Sequence, residues 1–321
     1  MTMRHGIVIL PEERWRDAAR RWSLAEEYGF DHAWTYDHLM WRWLREETWF
    51  GCVPTLTAAA TVTSRVMLGT LVATPGFRHP VTLAKDLMAL DDVSGGRIVC
   101  GMGSGAGGYD ELALGGPRLT PGERVGRFAE FLELTDLLLR QPETTYHGRH
   151  YTAEAVHMRP GCARRPRMPL AVAATGPRSM RLAARFADTW ITAGPPGRFD
   201  AARYDRVLPD LGKQVDAVEK ACAATGRDPA TLDRLLVTGA AVGGVLDSVE
   251  AFRDATGRFA ELGFTDVVVH WPRPSFPYEG RPEVLEEIAR EVLLPDRAAA
   301  QAAATRKGEA GEAFTVGGPD V

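Results

Sequence analysis

Apolar runs and amphipathic stretches alternate along the chain in one order from start to end. The runs are residues 5–11 (HGIVILP), 32–38 (HAWTYDH), 66–72 (VMLGTLV), 97–102 (RIVCGM), 170–174 (LAVAA), 189–192 (TWIT), 235–242 (LLVTGAAV) and 266–270 (DVVVH). Each is short and nearly continuous in apolar character, as strands are when helices cover both faces of a parallel sheet. Between and after them, residues 14–28, 53–63, 80–93, 121–140, 177–186, 209–225, 248–262 and 282–294 repeat apolar positions at helical spacing. Gly29 closes the first of these helices, and Thr120 with Pro121 opens the fourth as a cap followed by proline at the first helical position. Eight strand signals alternating with eight helical ones predict an α/β fold, a closed (β/α)8 TIM barrel.

One segment breaks the alternation. Residues 141–169 read as an excursion between strands 4 and 5, with two short strands around HGRHY and an arginine- and proline-rich return. Residues 1–294 are expected to form a single domain and 295–321, rich in alanine, glycine and charge, a loosely held tail.

Composition narrows the classes. A formal net charge of −4 gives no electrostatic reason to expect nucleic acid or an anionic membrane as a partner. Cys52, Cys100, Cys162 and Cys222 are scattered, without a CxxC pair, which fits a reducing cytoplasm better than a disulfide scaffold or zinc site. The opening MTMRHGIVIL runs directly into PEERWRD and reads as a first strand, not a signal peptide, and no stretch reaches membrane-spanning length. A cytoplasmic enzyme acting on a small molecule is the expectation.

Candidate chemistry gathers where strands end, the edge at which this architecture binds ligands. YDHLMW (Tyr36 to Trp41) brings an acid, an imidazole and a large aromatic together; His38 can exchange protons near neutrality, or simply bond a loop carbonyl. TPGFRHP and GMGSGAGG follow strands 3 and 4. The second is no dinucleotide fingerprint, because no convincing helix opens until about Thr120. AATGPRS places a strand end, Gly176 and a helix start at Pro177 in direct succession, so that unpaired N–H groups and the helix dipole can attract a phosphate. Arg178 and Ser179 can add contacts; the bland alternative is a plain turn capped by Thr175. His147, His150 and His157 match no zinc spacing, so no metal is expected. The arginines at 159, 164, 165 and 167 are either a solvated face or a surface for an anionic cofactor tail.

From about Gly6 to Leu294, these motifs resemble the luciferase-like monooxygenase superfamily, in particular its F420-dependent oxidoreductase branch. The resemblance implies a barrel that binds coenzyme F420, with FMN as the alternative. It makes His38 and Asp37 the catalytic pair, with Asp37 also touching the deazaflavin, and puts Trp41 and Tyr109 in the substrate pocket. It implies a non-proline cis bond at Leu71–Val72 behind the ring, with Thr70 and Thr74 as polar contacts. Gly103 and Ser104 would lie at the cofactor, and Ala174, Thr175, Gly176, Pro177, Arg178 and Ser179 would hold its phosphate. In the sugar-phosphate dehydrogenases of this branch the loop after strand 4 supplies a catalytic glutamate; Ala106 stands at that place here, with Asp110 and Glu111 nearby but offset. The implied activity is hydride transfer between the deazaflavin C5 and a C=C, C=N or C=O group, or alcohol oxidation. The alternatives are an FMNH2-dependent two-component monooxygenase with a separate cofactor reductase, and a barrel that binds flavin or metabolite without turnover. A homodimer is implied in each case.

Overall fold

The structure, a computed structural model, describes residues 3–106, 108–197 and 201–302. Its centre is a closed parallel barrel built from β1 (Arg4–Val8), β2 (His32–Thr35), β3 (Met67–Thr70), β4 (Ile98–Gly103), β5 (Leu170–Ala173), β6 (Thr189–Thr192), β7 (Asp233–Val237) and β8 (Asp266–His270). Each strand pairs with its sequence neighbour, and β1 closes the ring against β8, Gly6 lying opposite both Val268 and His32. The helices α1 (Trp15–Glu27), α2 (Cys52–Val62), α3 (Pro80–Ser94), α4 (Pro121–Arg140), α5 (Pro177–Phe186), α6 (Tyr204–Ala224), α7 (Val249–Glu261) and α8 (Pro282–Ile288) follow the strands in turn.

Apolar burial falls into two layers. The larger lies between strands and helices and includes Trp22, Phe128, Phe131, Phe252 and Phe259. The smaller fills the barrel itself with Val8, Trp34, Tyr36, Leu71, Ile191, Leu235 and Val268. Trp34 fits because its neighbour across the ladder is glycine; a Cβ on Gly69 would stand 2.2 Å from the indole. Below it, Trp34 Nε1 donates to His32 Nδ1, and His32 Nε2 meets Asp266 at 3.0 Å, so a polar plug closes the N-terminal end of the barrel.

Several boundaries differ from the sequence pattern. Helix α6 begins at Tyr204, so that Pro209 sits inside it, near enough to the start that only one early hydrogen bond is forgone. Strand β7 ends at Val237, and Val242–Gly243 instead pairs with Ala202–Arg203 in a two-stranded patch. After α8 the backbone stays helical through residue 302, by way of a π-turn at Ala289–Leu293. Residues 303–321 lie outside the described residues.

The excursion is an antiparallel hairpin, Glu143–His147 against Thr152–His157, packed on α4 through Glu130 and Glu133. Its return runs to the opposite end of the barrel from the strand C-termini. Arg164 contacts Met67 at the start of β3, and the Ala163 amide bonds Asp91 near the end of α3. The basic run therefore does not face the ligand edge, and Arg167 is consumed by Asp136 and Asp188. No described helix is long and apolar enough to cross a membrane.

Candidate active site

The C-terminal edge of the barrel carries two cavities, of about 590 and 560 Å3. The first is walled by His38, Trp41, Thr74, Ala106, Tyr109 and Asp110, among others. The second lies over β7 and β8, and Trp43 borders both. The excursion lines neither; the loops after β2, β4, β7 and β8 do.

His38 is half-buried in the first cavity, and its Nδ1 lies 2.6 Å from Asp110 Oδ2. The other oxygen of Asp110 accepts the amide N–H groups of Leu39 and Met40 at 2.8 and 3.3 Å. One carboxylate thus fixes both the imidazole and the loop that carries it. Asp110 reaches this position from a one-turn helix, Tyr109–Ala113, inside the glycine-rich loop. With Nδ1 engaged, Nε2 is the atom left to meet a reacting group.

The residue expected to assist His38 does something else. Asp37 is fully buried, and Arg78 holds both of its oxygens at 2.6 and 3.0 Å. A carboxylate so enclosed offers no surface to a ligand; it fastens the TPGFRHP loop to the end of β2. In this structure Asp37 pairs with Arg78, and His38 with Asp110; a buried acid needs its charge matched.

The Leu71–Val72 bond is cis, as the resemblance implied. Thr70 is fully buried and donates to the Gly101 carbonyl at 2.8 Å, so its hydroxyl is spent within the sheet. Gly103 is covered by Val72, whose methyl stands 2.7 Å from where a Cβ would be. Thr74 does line the cavity, and Ser104 is half-buried beside it. Ala174 is buried, its carbonyl taken by the Trp190 indole, so only its position in the turn remains.

The turn before α5 joins a strand end directly to a helix start. Gly176 is the cap residue and Pro177 the first helical position; Ser179 Oγ bonds the Gly176 backbone in both directions. Thr175 and Arg178 are exposed beside it. The Arg178 guanidinium reaches the Gly122 carbonyl at the start of α4, next to Arg124 of the first cavity, so turn and cavity adjoin. N–H groups of the first helical turn have no intrahelical acceptor, which is what an anion needs.

Residues not singled out from sequence complete the second cavity. Tyr36 Oη lies 2.7 Å from both His270 Nε2 and Tyr278 Oη, and the Tyr278 ring stacks on His270 with centroids 3.5 Å apart. Burial pushes His270 down to about 3, so it is a neutral imidazole at ordinary pH. Burial likewise pushes the Tyr36 phenol up. Their signal was position: both sit at the C-terminal ends of barrel strands. The four cysteines are buried and unpaired, and burial raises the Cys100 thiol to about 12, which leaves no reactive thiolate among them at the edge of the barrel. Among the described residues no acid, histidine or cysteine cluster is suited to a metal.

The family model for luciferase-like monooxygenases matches residues 2–320. The chain belongs to this family. Its sequence is 32% identical over 321 residues to an F420-dependent glucose-6-phosphate dehydrogenase of Beutenbergia cavernae, spanning 87% of this chain and 92% of that one. It is 30% identical over 275 residues to an F420-dependent hydroxymycolic acid dehydrogenase of Mycobacterium tuberculosis, spanning 83% and 69%. Among solved structures, an F420-dependent secondary alcohol dehydrogenase in complex with an F420-acetone adduct superposes with a TM-score of 0.76 at 17% identity, covering 92% of this chain and 99% of that one; this likeness is one of fold. The luciferase-like protein described here is thus an oxidoreductase on a TIM barrel.

Proposed function

We propose that this luciferase-like protein uses coenzyme F420 to transfer hydride between the deazaflavin and a small organic substrate, with His38 as the proton-exchanging group. The observation that carries the reading is the His38–Asp110 pair in a cavity that adjoins a phosphate-suited helix start. The F420 dependence of its sequence relatives supports the choice of cofactor.

The residues present fit such a group. The Gly176–Ser179 turn offers backbone N–H donors to a phosphate, with Arg178 beside it. Gly105 and Gly108 leave the loop over the cavity without side chains, and nothing lies within 4 Å of where a Cβ on Gly108 would be. Thr74 forms part of the cavity wall, just after the cis bond between Leu71 and Val72. When bound, F420 supplies a two-electron hydride acceptor and donor. The protein then has three tasks. Trp41 and Tyr109 enclose the substrate and exclude water. His38 Nε2 takes or gives the proton on the substrate oxygen, nitrogen or carbon. Asp110, acting through His38, is a positioning residue that fixes the tautomer and aim of the ring. We read the protein as a cytoplasmic homodimer on the same sequence grounds.

The test is equilibrium titration of the purified protein with F420 and with FMN. Tight F420 binding and weak FMN binding are expected, and His38→Ala should keep the F420 affinity while lowering kcat by about a hundredfold or more. Preference for FMN, with activity that requires oxygen, would overturn the reading.

A further inference from the structure

The second cavity has a chemical character that selects among substrates. One face is aromatic, made by Trp43, Phe276, Tyr278 and His270, and the opposite face is largely the glycine-rich backbone of residues 239–244. Trp43 and Phe276 contact edge to face at 4.9 Å, yet they remain 39% and 59% exposed. Large aromatic side chains left to water at a cavity mouth favour an apolar occupant.

Charge points the same way. Among the described residues the ionisable side chains of this cavity are Asp247, Glu279, Arg281, Tyr278 and His270. The single cation, Arg281, already bonds the Asp247 carbonyl at 3.1 Å. The imidazole is enclosed against the ring of Tyr278 and bonded to Tyr36, and it brings no positive charge to the cavity. The Asp247 carboxylate meets Arg203 at 3.9 Å and Arg281 is engaged, so the side chains lining this cavity offer no uncommitted cation to the phosphate or carboxylate ligand that would need one.

Resting on the oxidoreductase reading above, we propose that this cavity holds an uncharged, largely apolar cyclic substrate, its rings against Trp43, Phe276 and Tyr278, and that phosphorylated sugars are refused. The cavity borders the first at Trp43, whose ring meets Trp41 at 5.1 Å, so the reacting end of the substrate enters the first cavity beside Trp41 and His38. The substrate body therefore lies on the β7–β8 side of the catalytic histidine.

Calorimetric titration of the full-length protein with 1-tetralone and with glucose 6-phosphate, each with and without F420, tests this directly. Saturable binding of 1-tetralone and none of the sugar phosphate is expected. Phe276→Ala should weaken tetralone binding by about tenfold, whereas Leu114→Ala, an exposed apolar residue bordering neither cavity, should not. Sugar-phosphate binding as tight as tetralone binding, absence of tetralone binding, or an unaltered affinity in Phe276→Ala overturns the proposal. Failure of F420 to bind would overturn the cofactor reading, while the tetralone result would still judge the cavity.

Discussion

The smallest unit that explains this site is a carboxylate with two duties. Asp110 takes His38 with one oxygen and the backbone of Leu39 and Met40 with the other. Asp110→Asn keeps an acceptor for the loop but removes the charge that faces the imidazole. We expect kcat to fall by about tenfold or more with F420 affinity unchanged, and Asp110→Glu to recover part of the loss. Steady-state kinetics beside a cofactor titration would show it; parallel losses of affinity and kcat would mean that Asp110 only holds the loop. His270 makes a prediction of another kind. Its folded-state value of about 3 lies below the usual 6.5, because burial disfavours the charged ring. Between those two pH values the unfolded chain binds more protons, so this group costs stability as pH falls from 6.5 toward 3. His270→Phe should lower Tm at neutral pH, by loss of the Tyr36 bond, yet show a shallower decline of Tm between pH 6.5 and 4. His5, also lowered by burial, keeps part of the slope. Parallel declines for wild type and variant would count against the assignment.

Elements explain which parts of this site could be read from sequence. The barrel strands are apolar on both faces, so their number and order are plain in the chain itself. The turn before α5 was equally plain, because strand end, glycine and proline-led helix are adjacent in the chain. The His38–Asp110 pair was not, because its members are 72 residues apart and Asp110 sits on a helix of one turn with no periodicity to reveal it. Asp37 obeys the same rule: DH is a pair in sequence, but it is Arg78, 41 residues on, that meets the acid. Local order shows where a side chain begins and not which distant charge will meet it. The strand pair β3–β4 illustrates how tightly this edge is built. A Cβ on Gly101 would lie 2.0 Å from the Thr70 carbonyl oxygen, a backbone atom that cannot swing aside. Gly101→Ala should therefore destabilise the protein by about 3 kcal/mol and disturb Thr70 and Leu71 behind the cavity. Gly108→Ala, where nothing lies within 4 Å, should change stability little. Chemical denaturation of the two variants checks the contrast, and equal effects would refute it.

At the scale of the whole molecule, the two ends of the barrel divide the work. The C-terminal edge carries the two cavities, glycine-rich loops and the histidine; the N-terminal end is closed by charges that line neither of those cavities. There Arg4 meets Asp266 through two bonds of 2.7 Å, Asp266 meets His32 at 3.0 Å, and His32 accepts from Trp34 inside the barrel. Burial opposes ionisation of Asp266, yet its bonds to His32 and Arg4 outweigh that and hold the carboxyl far below its usual range. A depressed acid contributes stability that is present above its unfolded value, 3.8, and is lost as pH falls below it. Asp266→Asn removes the acid that bonds both Arg4 and His32, leaving Arg4 to Asp233, at the seam where β1 and β8 close the ring. The expected cost is about 2–3 kcal/mol, the low end of what breaking a buried pair takes, because Arg4 is half exposed. Since the change is confined to the closed end, kcat and F420 affinity measured well below Tm should stay within about twofold of wild type. The loss of stability should also shrink as pH is lowered through 4 toward 3, where the wild-type carboxylate begins to lose its own advantage. Denaturant titrations at pH 7.5 and pH 3.5, paired with kinetics at pH 7.5, separate the two ends. A variant that loses activity while still folded would show that the seam and the site are coupled, and that the barrel does not keep its support and its chemistry apart.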